Sequence, residues 1–156
     1  MEKSDSHGNG TDFSRILEKR IRKHVRLNKL LKKWDKILVK DAVSEHFVRK
    51  IVGDMPVRIV KKGKARKIVG IWTADDEIDA FFKSIVGKKD KTDKRFIKIF
   101  TSVTDDELEE YCKTNNINFA RRKKDKAIQE LVESITKKHP DSKHKIIKSL
   151  ERLDIL

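Results

Sequence analysis

Apolar residues in this chain fall into short clusters whose spacing switches between helical and extended periods. From Asp12 to about Leu31, at ~100° per residue, Phe13, Ile16, Leu17, Leu27, Leu30, Leu31 and Trp34 gather on one side. Arg15, Lys19, Arg22, Arg26, Lys29 and Lys33 recur at steps of four and three on the other. The pattern predicts a basic amphipathic helix over 11–34, capped by Thr11 or Asp12. Residues 1–10, rich in Ser, Gly and Asn, read as a disordered tail before it.

Lys36–Val39 (KILV) reads as a short buried strand. Ala42–Val52 returns to helical spacing, with Val43, Phe47, Val48 and Ile51 inward. Gly53 and Pro56 mark a turn into a second strand, Val57–Val60, and the basic turn KKGKARK leads to a third, Lys67–Ile71. Asp75–Val86 reads as a helix with Ile78, Phe81, Phe82 and Ile85 inside. The loop GKKDKTDK precedes a fourth strand, Phe96–Phe100. Thr104 with Glu107 three later is a capping box for a helix ending near Thr114. Two more helices, about 124–138 and 142–153, are divided by His139-Pro140.

Strands alternating with helices predict a single α/β domain over 11–156, a parallel sheet of four or five strands with helices on both faces. Its sheet core spans 36–103 and its helical C-terminal part 104–156. In such sheets ligands gather at the carboxyl ends of the strands, here Lys40-Asp41, Trp72-Thr73 and Thr101-Ser102.

Charge then changes the picture. Lys and Arg total 39 against 25 acids, a net +14, which concentrates anionic partners electrostatically. Nucleic acid is the commonest such partner, ahead of an anionic membrane surface. The lone cysteine, Cys112, excludes an intrachain disulfide and a cysteine-pair metal site. No long apolar run spans a membrane, and MEKSDSHGNG has neither an apolar core nor a cleavage signal, so the expected location is cytoplasmic, or nuclear in a nucleated cell.

Catalytic chemistry finds little to use. Cys112 sits among acids, which raise a thiol's pKa and make it a poor nucleophile. His7, His24, His46, His139 and His144 form no metal-ligand spacing with one another or with Cys112. A phosphate-cradling loop needs glycines, and Lys40–His46 after the first strand has none. Asp75, Asp76 and Glu77 are the one compact carboxylate group at the ligand edge, suited either to Mg²⁺ through water or to ordinary helix capping. Basic segments remain: the ridge from 15 to 33, then 61–67, 88–95, 121–126 and 137–145. Outside the expected core only Trp34, Trp72 and Tyr111 offer rings to bases, which favours backbone and shape contacts over base readout.

Four segments also carry a family likeness. The basic stretch LEKRIRKHVRLNKLLKK leads into KILV. Trp72-Thr73-Ala74-Asp75-Asp76-Glu77 is similar to a turn of the type His-Asn-Leu-Asp-Asp-Glu. An acidic helix with a trailing Ile-x-Phe is matched by DDELEEYCKTNNINF, and ESITKKHPDSKHKIIKSLERL is the most specific match. Over about Phe13–Leu153 the chain resembles the PP-loop ATP-pyrophosphatase superfamily, which has the fold of the adenine nucleotide alpha hydrolases, and within it the tRNA 2-thiolation enzymes. The resemblance implies strand order 3-2-1-4 with KILV central, and a tRNA-associated ancestry. Three departures weigh against the family's chemistry. The ATP loop Ser-Gly-Gly-x-Asp-Ser is missing at Lys40–Phe47, Trp72 stands where the family has histidine, and ARRKKDK replaces the cysteine-bearing segment.

The sequence therefore points to a noncatalytic, cofactor-free RNA-binding protein, with tRNA as the RNA and a thiolation enzyme or other RNA-processing protein as partner. Its expected RNA contacts are Arg15, Lys19, Arg22, Arg26, Lys29 and Lys33 on the ridge, Arg121, Arg122, Lys123 and Lys124 in the basic linker, and Lys137, Lys138, His139, Lys143, His144, Lys145 and Lys148 near the end. A second expectation is a divergent Mg-ATP-dependent tRNA-modifying enzyme of sulfurtransferase or adenylating type, using Asp41, Ser44, Thr73, Asp75 and Asp76. A third is a basic protein-interaction module.

Overall fold

In a computed structural model, which describes residues 6–88, 93–139 and 141–152, KILV forms an interior strand, β1 (Lys36–Val39). It pairs in parallel with β2 (Arg58–Val60) on one side and β3 (Lys67–Val69) on the other, and β3 pairs with β4 (Phe96–Ile97). An isolated bridge from Thr73 to Phe100 extends the last pairing. The sheet order is β2-β1-β3-β4, so the expected order 3-2-1-4 is not found. The link 61–66 explains the geometry. It holds no helix, yet at ~3.3 Å per extended residue it is long enough to cross one strand and return to the amino end of the sheet.

The remaining elements are α1 (Ser6–Leu27), α2 (Ala42–Val52), α3 (Ala74–Ile85), α4 (Asp105–Thr114), α5 (Lys126–Lys138) and α6 (Ser142–Arg152). The main core joins Leu17, Ile21 and Val25 of α1 to Ile37 and Val39 of β1, Phe47 of α2, and Leu108 and Tyr111 of α4. A second cluster, Ala74, Ile78, Val132 and Ile147, joins α3, α5 and α6. The steps β1 to β2 and β3 to β4 run in opposite directions along the sheet, and right-handed crossovers then require α2 and α3 on opposite faces. The two separate clusters agree. Among the described residues no helix is long and apolar enough to cross a membrane.

The first helix departs from expectation at both ends. Of the predicted disordered tail, residues 1–5 lie outside the described residues, while Ser6–Gly10 belong to α1. At the other end α1 stops at Leu27. Lys29 adopts φ 50°, and the Leu30 amide donates to the Val25 carbonyl at 3.1 Å. This is a Schellman-type closure with lysine where glycine is usual. It turns Leu30 and Leu31 back onto the core and takes Lys29 and Lys33 off the helical ridge. Ile16 and Leu27, expected inside, are 57% and 66% exposed, and Ile85 of α3 is 62% exposed.

One partly buried chain of hydrogen bonds joins three elements of the main core. The Tyr111 hydroxyl donates to Glu18 Oε1 at 2.6 Å and accepts from His46 Nε2 at 2.8 Å, and Lys50 Nζ lies 2.8 Å from the same Glu18 oxygen. Burial and the Glu18 carboxylate push the Tyr111 phenol far above its ordinary value. Burial, with the Lys50 charge, holds His46 below its own. Tyr111→Phe, which strips this chain of its central donor, is expected to cost about 1–3 kcal/mol in urea unfolding. Cys112 next to it is buried and free, and burial, with the Asp41 charge, pushes its thiol up to about 11.

Candidate nucleic-acid interface

The carboxyl edge of the sheet is where a nucleotide would be expected, and there the acids are already partnered. Asp41 caps α2, accepting from the Ser44 amide at 2.7 Å and the Ser44 hydroxyl at 3.0 Å. A carboxylate thus occupies the helix N-terminus that an ATP phosphate would need. Thr73 donates through its amide to Asp76 at 2.8 Å and through its hydroxyl to Asp105 at 2.7 Å. Lys124 reaches both carboxylates, 2.5 Å from Asp105 and 3.2 Å from Asp76. Asp75 accepts from the Asp105 amide at 2.7 Å and pairs with Lys143 at 2.5 Å.

Trp72 completes the closure. Its indole N–H donates to Glu77 at 2.8 Å, and Lys98 pairs with the same oxygen at 2.6 Å. The Lys98 ammonium and the Arg122 guanidinium both lie over the indole ring, 4.7 and 4.8 Å from its centroid. Neither Trp72, 4% exposed, nor Tyr111, fully buried, offers a ring to a base. The acids and the aromatic at this edge bind one another and their own lysines.

Several predicted RNA contacts are consumed by the same pairing. The Lys124 side chain is only 4% exposed, so it belongs to the interior and not to an RNA surface. Lys143 is held by Asp75, Arg121 by Asp106 and Glu109, and His144 lies 3.3 Å from Glu107. Arg122 leans on Trp72. Lys123, Lys137, Lys138, His139, Lys145 and Lys148 are exposed and have no ion pair among the described residues.

The outer face of α1 is different. Arg15, Lys19, Arg22, Lys23 and Arg26 are exposed and have no ion pair among the described residues, Arg22 donating only to the Lys50 carbonyl at 3.3 Å. At ~1.5 Å per residue the row from Arg15 to Arg26 spans roughly 16 Å. Two grooves flank its C-terminal half. One, about 380 Å³, has Val25, Ile51 and Met55 as its floor and Arg22, Arg26, Lys29 and Lys32 on its rim. The other, about 1070 Å³, follows β4, the outermost strand among the described residues, and carries Arg20, Lys23, Lys98, His144 and Lys148.

His24 ties α1 to that edge. The Lys98 carbonyl, 3.1 Å from Nε2, can only accept, so Nε2 carries the proton, and the Asn28 amide donates to Nδ1 at 3.2 Å. Arg20, Lys23 and Lys98 escaped the sequence reading. Lys23 stands one helical turn after Lys19, a spacing that could have found it, whereas Lys98 reaches the groove only through the position of β4.

No protein-family model matches the chain, and no curated protein sequence matches it.

Proposed function

We propose that this chain is a noncatalytic RNA-binding protein with tRNA as its RNA class, derived from a PP-loop tRNA 2-thiolation enzyme. The contrast between two surfaces carries the reading. The carboxylates at the sheet's carboxyl edge are bound inward, while Arg15, Lys19, Arg22, Lys23 and Arg26 along α1 have no ion pair among the described residues, Arg20 alone in that stretch being held by Glu107, and are aligned over several phosphate spacings. Each phosphate that such a cation neutralises releases a counterion, which gives sequence-independent and salt-dependent affinity.

The derivation rests on the sequence likeness of the 72–77 turn, the acidic helix and the tail to that family, and the sheet order β2-β1-β3-β4 departs from the 3-2-1-4 which that likeness implies. Trp72, closed between Lys98 and Arg122, then fills the place of the histidine in the turn it resembles.

The test compares tRNA with an acidic polypeptide of similar charge by fluorescence anisotropy over a salt series. Tighter binding to tRNA, with a steep salt slope, is expected, and equal affinity for both would instead identify a protein-interaction module. Calorimetry with Mg-ATP is expected to give no 1:1 heat, because the Asp41 carboxylate already sits at the start of α2 and holds the Ser44 amide. Clear heat that disappears in Asp41→Ala would restore an ATP-using enzyme.

A further inference from the structure

Trp34 is the most exposed large apolar side chain among the described residues, at 82%. Its backbone is also in the left-handed region, φ 70°, which favours glycine and penalises an aromatic residue. Burial offers no compensation here. The turn holds this conformation through its neighbours. The Trp34 amide donates to the Pro56 carbonyl at 2.7 Å, and Asp35 Oδ2 accepts from the Lys32 amide at 2.7 Å and pairs with Lys67 at 2.6 Å. The ring is thus projected into solvent from a fixed base.

Beside it lies a shallow groove of about 400 Å³ at the amino end of the sheet, lined by Asp35, Lys36, Lys64, Ala65 and Arg66. Its single acid, Asp35, is taken by Lys67. Lys36, Lys64 and Arg66 have no ion pair among the described residues. An open π face next to three unpaired cations suits few ligands. A cationic ligand is repelled, and an apolar helix needs a broader apolar surface than one indole. An acidic peptide satisfies the cations and leaves the ring bare. A nucleotide uses both, its base on the indole and its phosphate among the cations.

We infer that Trp34, with Lys36, Lys64 and Arg66, forms a stacking site for one unpaired nucleotide of RNA. The inference rests on the RNA-binding reading and adds a preference for single-stranded segments that phosphate contacts along α1 do not supply. Lys29 and Lys33 lie between the two surfaces in the chain.

The experiment follows tryptophan emission while the whole chain is titrated with an oligouridylate of roughly eight nucleotides, a blunt RNA duplex of equal length, UMP and polyglutamate. The oligouridylate is expected to quench the solvent-exposed emission of Trp34, leaving that of buried Trp72. Trp34→Gly should weaken oligouridylate binding by roughly 5- to 100-fold without changing its salt slope, because no charge is lost. Duplex affinity should stay the same, and Trp34→Phe should keep most of the single-strand affinity. Glycine accepts the left-handed turn, so the variant should melt close to the parent, which separates lost stacking from lost folding. Absence of quenching, or an equal loss on single strand and duplex, would overturn the site. Equal affinity for UMP would make it a free-nucleotide site, and equal quenching by polyglutamate an acidic-protein site, and either also overturns it. If substitutions along α1 leave tRNA binding intact while quenching by oligouridylate persists, the α1 reading fails and the Trp34 site stands.

Discussion

Changing Lys19, Arg22 and Arg26 together to alanine is expected to weaken tRNA binding by roughly two orders of magnitude and to lower its salt slope by two to three units. All three point to solvent from α1, and none has an ion pair whose acid would be left alone. The fold should survive, because α1 is held by Leu17, Ile21 and Val25 on its other side and alanine favours helix. Lys29 is left out of the triple because it ends the helix at positive φ and lies off the row. Arg121→Ala is the control for charge alone. Its guanidinium is already neutralised by Asp106 and Glu109, so its removal should barely move the slope. A folded triple variant with unchanged slope would make the α1 row a merely solvated face.

What the sequence disclosed and what it hid divide along chain distance. KILV declared itself through the unbroken apolar run Ile37–Val39, and the Thr104 capping box through two residues three apart, with Glu107 in place over the first turn of α4. Such signals act within one turn or strand, so local chemistry suffices to read them. The end of α1 was hidden because lysine, not glycine, takes the left-handed position there, and composition carries no mark of it. Strand order was hidden because it depends on which long-range pairings the link 61–66 permits.

The same division runs through the site. RRKKDK reads as one uniform basic run, yet three of its members face three different environments. Arg121 pairs across to α4, Arg122 lies on Trp72, and Lys124 turns into the interior toward acids 19 and 48 positions earlier, at Asp105 and Asp76. The two tryptophans exchange roles for a similar reason. Trp72 follows a buried strand and finds two cations and Glu77 within reach, while Trp34 stands in a turn whose hydrogen bonds hold it outward. Only the tertiary arrangement distinguishes a cation available to RNA from one committed to a carboxylate.

Lys124→Met is expected to be the most damaging single substitution among these charged groups, costing about 3–5 kcal/mol at neutral pH. The methionine fills similar volume, so the loss is electrostatic, not a cavity. Asp76 and Asp105 would remain buried with no cation between them, Arg122 being 3.9 Å from Asp76 and largely engaged with Trp72. In the parent, burial already pushes Asp76 above the ordinary carboxylate range, against the Thr73 amide and Lys124 and with the charge of Asp105 adding to the rise. Burial works against the Lys124 ammonium as well, but hydrogen bonding to Asp105 and the charge of Asp76 outweigh it and hold it above the ordinary lysine range. One cation therefore serves two anions, standing closer to Asp105 (2.5 Å) than to Asp76 (3.2 Å). A carboxyl group whose folded pKa is raised binds its proton more tightly folded than unfolded, so its contribution to stability is present below its unfolded value and lost as pH rises through the folded one. Removing Lys124 strengthens that effect at Asp76. The variant's deficit in urea unfolding should thus shrink as pH falls from neutrality toward the carboxylate range, while the parent changes far less. Adding Asp76→Asn and Asp105→Asn should recover most of the loss at pH 7, since both amides can still accept from Thr73 and neither carries charge. A deficit below about 1 kcal/mol, or one independent of pH, would mean that Lys124 does not neutralise these carboxylates, and its place in a basic run would again make it a candidate for RNA.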